Sequence, residues 1–212
     1  MGRSGLEIGV FGGTFDPIHI GHLRAVEEVR EALGLKKVLF VLSARPPHKG
    51  GLAHAPAEDR WHMLLKALEG NPYFEASDVE LNREGFSYTV DTIRELLLVY
   101  GKRLCFIIGE DAFRAIKTWK EWDVLLGLCP FVVMKRTDED LQGFLKELGF
   151  EPNGPSLYLS QKGVPLFLIP VTSIKVSATQ IRELVKTGKS IKYLVPAPVE
   201  EHILKRGLYR SP

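Results

Sequence analysis

Two hydrophobic periods account for the first 42 residues. An apolar run at residues 8–11 ends in Gly12 and Gly13, and from Gly21 onward Leu23, Val26, Val29 and Leu33 recur every three to four positions. The first reads as a strand and the second as one face of a helix. Gly34 suits the turn that closes such a helix. Residues 38–42 (VLFVL) are unbrokenly apolar, as in a parallel strand buried on both faces.

Helical spacing returns at residues 57–68 through Trp61, Leu64, Leu65 and Leu68, and at residues 88–100 through Val90, Ile93, Leu96, Leu97 and Val99. Buried strands are expected at residues 104–108, 131–134 and 166–169, with helical pieces at 111–116 and 119–126. Residues 74–86 hold short strand-like pieces, 137–148 read as an acidic, exposed helix, and 151–163 (EPNGPSLYLSQKG) as a Pro/Gly-bearing connector. Ser177 opens a helix through Ile181, Leu184 and Val185 that Gly188 ends, and residues 199–204 form a terminal helix. Strands alternating with helices predict an α/β fold: a doubly wound, mostly parallel, Rossmann-like sheet with helices on both faces and a helical C-terminal portion. A chain of 212 residues suits one domain, with a core sheet over about residues 6–170 and the helical part over about residues 171–212.

Composition narrows the partners. A formal net charge of +2 argues against a large nucleic-acid footprint, while local basic residues can still serve small anions. Apolar runs such as residues 104–108 are far too short to span a bilayer. No signal-peptide pattern is read at the N-terminus, so a cytoplasmic protein without membrane contact is expected. Cys105 and Cys129 each sit inside an apolar run and read as reduced core thiols. The sequence leaves a homo-oligomer open.

The stretch GGTFDPIHIGH, residues 12–22, joins the first strand to the first helix. In a doubly wound sheet ligands bind at the carboxyl ends of the strands, and the helix that follows offers unpaired N–H groups and a positive dipole end to an anion. Gly12 and Gly13 bring backbone close to a phosphate because no Cβ intervenes. Pro17 stiffens the loop. His19 and His22, three apart, can share one face and one anion if the helix begins between them. A dinucleotide-binding GxGxxG would need other glycine spacing and an acidic residue after the second strand, where the chain reads Val41-Leu42-Ser43. The Walker pattern is absent. A structural zinc site wants four ligands, and the cysteines lie far away. Two histidines that merely cap or pack a helix start would leave the glycines and proline without a shared purpose.

The stretch resembles the GTFDPxHxGH signature of the nucleotidyltransferase superfamily with the HxGH motif, which adenylyl- and cytidylyltransferases share. A second stretch, VSATQIRELV at residues 176–185, reads locally as a capped helix start with Arg182 one turn beyond Thr179. It resembles the ISxTxxR motif of the nicotinate and nicotinamide mononucleotide adenylyltransferases, whose role there is to bind ATP phosphates. PPHK (residues 46–49), SYTVDT (87–92), IIGED (107–111), TWKEW (118–122) and the terminal LVPAPVEEHILKRGLY (194–209) are similar to further segments of the bacterial nicotinate-nucleotide enzymes.

The resemblance implies transfer of AMP from ATP to nicotinate mononucleotide, giving nicotinate adenine dinucleotide and pyrophosphate in NAD biosynthesis. It implies catalytic roles for His19, His22 and Arg182. ATP or its phosphates would be met by Gly12, Gly13, Thr14, Phe15, Lys49, Gly109, Asp111, Ser177 and Thr179. The mononucleotide would be met by Asp16, Thr89, Trp119 and Lys120; Lys120 stands where some relatives carry Tyr, and the family contact there is a backbone N–H. Mg²⁺ would arrive as Mg-ATP, with no protein metal site expected. Two alternatives remain: a preference for nicotinamide mononucleotide, and a catalytically silent module that senses pyridine nucleotides.

Overall fold

The computed structural model describes residues 5–47, 53–137 and 139–210. The first βαβ unit forms as the periodicity predicts: β1 (Ile8–Gly13), α1 (Ile20–Leu33) and β2 (Lys37–Leu42). Gly34 takes a φ of 65°, the left-handed turn that glycine adopts without a Cβ clash. The helix α2 (Ala57–Leu68) has the predicted bounds, and β3 (Phe74–Ser77) follows. The remaining strand-like residues after β3 instead turn, because Asp78 O accepts Leu81 N and Asn82 N while its carboxylate accepts Asn82 Nδ2 at 2.9 Å. Next come α3 (Thr89–Tyr100), β4 (Leu104–Gly109), α4 (Glu110–Arg114), α5 (Trp122–Leu128) and β5 (Phe131–Lys135).

Two expectations fail beyond β5. The acidic helix is confined to α6 (Gln142–Glu147); Asp140 Oδ1 accepts Gln142 N at 2.9 Å, a local turn that competes with helix. The connector contains two strands, β6 (Phe150–Pro152) and β7 (Leu157–Ser160), which lead into β8 (Pro165–Pro170). Helices α7 (Ala178–Lys186) and α8 (Ala197–Arg206) end the chain.

The strand order is β3-β2-β1-β4-β5-β8-β7-β6. Pairs β1–β4, β4–β5 and β5–β8 are parallel; β8–β7 and β7–β6 are antiparallel. The α/β class, doubly wound and mostly parallel, is therefore the one expected. The order reverses between β1 and β4, and Gly12 and Gly109 stand at the carboxyl ends of these two strands, where such sheets receive ligands.

The chain clusters into two compact units. One contains the residues up to Gly12, Ala25–Leu39 and Tyr88–Ser173; the other contains Gly13–Arg24, Phe40–Ser87 and the segment from Ile174. The first unit buries β4 and β5 almost throughout, with Cys105 and Cys129 in its core as free thiols. Burial pushes the Cys129 thiol up to about 12, which keeps it protonated and inert. In the second, α2 and α8 are tied through Asp59, which accepts Arg206 Nε at 2.9 Å and pairs with His202 Nε2 at 3.0 Å.

Candidate active site

In the second unit, α1 begins at Ile20, between the two histidines, and His19 O accepts both His22 N (3.0 Å) and Leu23 N (3.3 Å). The imidazoles stack with centroids 3.6 Å apart and planes 19° from parallel. His22 Nδ1 accepts the backbone N–H of His19 at 3.3 Å. With Nδ1 accepting, a neutral His22 imidazole carries its proton on Nε2 and donates from that nitrogen. His19 is buried and His22 half-buried, so His22 is the more accessible donor.

Gly21 owes its identity to packing. A Cβ there would stand 2.8 Å from Val176 Cγ1 and 3.2 Å from His19 Nδ1. The start of α1 thus lies against the residue preceding the Ser177 cap, and the two motifs meet. Gly13 is likewise constrained, since a Cβ would come within 2.6 Å of the Phe15 ring. Phe15, at a φ of 47°, turns the loop and buries its ring edge-on to His22, centroids 5.5 Å apart. A side chain other than glycine at that φ is uncommon.

Ser177 is the N-cap of α7 and accepts Gln180 N at 3.2 Å; Thr179 is left to accept Arg182 Nη2 at 3.2 Å. The other terminal nitrogen, Arg182 Nη1, donates to Asp16 O at 2.7 Å across 166 residues of sequence. Two protein acceptors therefore fix the guanidinium, and its remaining N–H groups stay available to a ligand.

Asp16 is buried, and its carboxylate already accepts His54 N (2.7 Å), Ala55 N (3.1 Å) and the Tyr209 hydroxyl (2.8 Å). Burial, and then the Asp16 charge, push the Tyr209 phenol well above its usual value. Arg60, 1% exposed, donates to four carbonyls that tie this loop to its neighbours: Ala55 O, Thr14 O, Ser43 O and Ala44 O, at 2.7–3.1 Å. Sequence reasoning missed Gly21, Arg60 and Tyr209. An arginine on the apolar stripe of α2, one turn before Leu64, was the signal for Arg60; nothing local marked Tyr209.

The first unit gathers the other predicted residues. Gly109 caps α4 with open space where a Cβ would project, and Asp111, the second residue of α4, is exposed. Its neighbour Glu110 is buried: burial alone would raise its carboxyl, but Arg114 (2.9 Å), Arg136 N (3.3 Å) and Thr137 (3.2 Å) hold it below the usual range. Thr89 is half-buried as the first residue of α3. Lys120 Nζ pairs with Asp91 of α3 at 3.1 Å and stands 4.6 Å from the Tyr88 ring centroid, which brings the TWKEW segment to the start of that helix. Trp119, half-buried, meets Phe106 edge-on at 6.3 Å. Lys49 lies outside the described residues.

A sequence-family model described as cytidylyltransferase-like matches residues 10–184, so the fold and its motifs are those of the nucleotidyltransferase class. Proteins from Moorella thermoacetica and Thermus thermophilus, each described as a "probable nicotinate-nucleotide adenylyltransferase", are 46% and 42% identical to this chain; the matches cover 96% and 97% of it and 91% and 100% of the relatives. The chain belongs to the nicotinate-nucleotide adenylyltransferase family. Among solved structures, a Plasmodium falciparum nicotinic acid mononucleotide adenylyltransferase complexed with NaAD shares the fold, with a TM-score of 0.75 over 96% of this chain and 97% of that one at 16% identity.

Proposed function

We propose that the protein transfers the adenylyl group of ATP to nicotinate mononucleotide, releasing pyrophosphate in a step of NAD synthesis. The observation that carries the site assignment is the meeting of the HxGH and STxxR segments, through Gly21 against Val176 and Arg182 against Asp16 O. The family relationship supports the choice of substrates.

A phosphate oxygen of the mononucleotide, ionised at neutral pH, attacks the α-phosphorus in line; a new P–O bond forms, and the bond to the α,β-bridging oxygen breaks with its electron pair leaving on pyrophosphate. No general base is needed, so the residues act by position and positive potential. His22 donates through Nε2 to the α-phosphate, with His19 stacked behind it. Arg182 and Lys49 neutralise the phosphates, Ser177 and Thr179 order the start of α7, and Gly12, Gly13 and Gly109 leave room for the nucleotide. Thr14 and Phe15 shape the phosphate loop, and Asp111 suits a ribose hydroxyl. Thr89, Trp119 and Lys120 receive the pyridine ring and its carboxylate. Asp16 serves the mononucleotide site by holding this loop, its carboxylate being engaged by three donors within the protein.

The divalent cation that accompanies the triphosphate is assigned to Mg²⁺, held by phosphate oxygens and water. Among the described residues no group of three or more His, Cys, Asp or Glu side chains is placed to hold a metal, and no residue is given that role. Among the described residues no helix is long and apolar enough to cross a membrane. The reaction is assigned to the cytoplasm, where its nucleotide substrates are found.

Incubation of purified protein with ATP, Mg²⁺ and each mononucleotide, followed by product analysis, tests the reading. Nicotinate adenine dinucleotide and pyrophosphate should form. A higher kcat/KM with the amide would overturn the acid assignment, and no pyrophosphate with either would point to the sensing module.

A further inference from the structure

Glu121 takes the left-handed backbone conformation, φ 48° and ψ 43°, at the point where the TWKEW segment turns into α5. Few residues other than glycine adopt that region, and those that do persist where their surroundings fix them. The Glu121 carbonyl starts α5 by accepting Leu125 N at 2.8 Å. Its side chain is held by Arg94 of α3, whose Nη2 donates to Glu121 Oε2 at 2.6 Å. Arg94 Nη1 also lies 3.6 Å from Asp91 Oδ1, three residues earlier on α3, and the other Asp91 oxygen accepts Lys120 Nζ at 3.1 Å. Lys120, Asp91, Arg94 and Glu121 therefore alternate in charge as a four-member ladder. It joins two consecutive residues of the turn to the first two turns of α3, the helix that Thr89 begins. No acceptor among the described residues takes the Lys120 backbone N–H.

Resting on the proposed transfer to nicotinate mononucleotide, we infer that Arg94 and Glu121 are positioning residues for the choice of acid over amide. They hold the turn so that the Lys120 N–H and Thr89, the groups that receive the pyridine carboxylate, keep one spacing. A carboxylate gains more from that spacing than a neutral carboxamide does, because a hydrogen bond to a charged acceptor is about twice as strong as one between neutral groups. The ladder also balances its own charge, two cations against two carboxylates, so neither Asp91 nor Glu121 is left to repel an incoming anion. Arg94 and Glu121 act through the turn and touch no substrate.

Both side chains are exposed, so Arg94→Ala and Glu121→Ala leave the core untouched. Each should lower kcat/KM for nicotinate mononucleotide by about 2- to 5-fold, the scale of one exposed ion pair, with kcat/KM for the amide and the KM for ATP unchanged. The two losses should not add in the double variant, and Arg94→Lys should keep most of the acid preference. Glu121→Gly removes the same pair but adopts a φ of 48° without a Cβ penalty, so it should lose less than Glu121→Ala. An ion pair that served stability alone would shift Tm and leave the ratio of acid to amide where it was. Charge without positioning would move the two Ala variants in opposite directions. Either result, in a protein that forms dinucleotide, would overturn the ladder and spare the reaction. Acid-selective mononucleotide binding, titrated by calorimetry, that depends on Arg94 yet leads to no dinucleotide would do the reverse.

Discussion

Tyr209→Phe deletes one hydroxyl and keeps the ring, which makes it a clean probe of the loop that carries the histidines. In the wild type that hydroxyl donates to Asp16 Oδ1 at 2.8 Å, in a site where the carboxylate is 2% exposed. A hydrogen bond to a charged group contributes about 1.5–3 kcal/mol. His54 N and Ala55 N continue to pair Asp16 in the variant, so the lower part of that range applies, about 1.5–2 kcal/mol. For a chain of this size the loss lowers Tm by about 3–8 °C. The effect carries a pH signature. Burial and Asp16 raise the folded phenol above its ordinary 10.0, so the stabilisation is complete below about pH 10 and is lost as pH rises further, by up to about 1.4 kcal/mol per unit. Denaturant midpoints for both proteins at pH 8 and at pH 10.5–11 measure it. Groups common to both cancel in the difference. The gap should be present at pH 8 and shrink above pH 10. Equal stabilities at pH 8, or a gap that stays constant to pH 11, would refute the assigned bond.

Three other substitutions probe different links. His22→Ala should lower turnover by about two orders of magnitude with little change in Tm; near-normal pyrophosphate release would remove His22 from its role. Gly21→Ala forces a Cβ to within 2.8 Å of Val176 Cγ1 and should cost about 1–3 kcal/mol together with most activity; adding Val176→Ala should recover part of both, and a double variant no better than the single would contradict the packing argument. Asp59, although buried, is held below its ordinary 3.8 because Arg206 and His202 outweigh burial. Its contribution is therefore present above about pH 4 and lost as pH falls below it, so Asp59→Asn should weaken the protein at pH 7 and narrow the difference by pH 3. Parallel denaturation curves for the two proteins at both pH values would contradict this.

Local signals wrote the regular elements clearly. The bounds of α2 and the Ser177 cap of α7 follow from spacing and one hydroxyl. The pair β6 and β7 escaped because each is short and interrupted by Pro, Gly and Ser, and their order comes from pairing with β8, a partner no local window contains. The shortened α6 shows the opposite case, in which a side chain two residues away, Asp140, outcompeted helix.

Sequence by itself determined the βαβ frame and the pairing of the GGTFDPIHIGH motif with VSATQIR that marks the family. Residue type and short-range spacing suffice for these, because helix starts, caps and glycine turns are local physics. Only the tertiary structure decided what Asp16, Arg60 and Tyr209 do: a buried carboxylate and a buried guanidinium must find partners wherever the chain supplies them, and here those partners are backbone groups and a phenol as many as 193 residues away. It also decided which histidine is the accessible donor, and that Gly21 is glycine because two distant segments must touch.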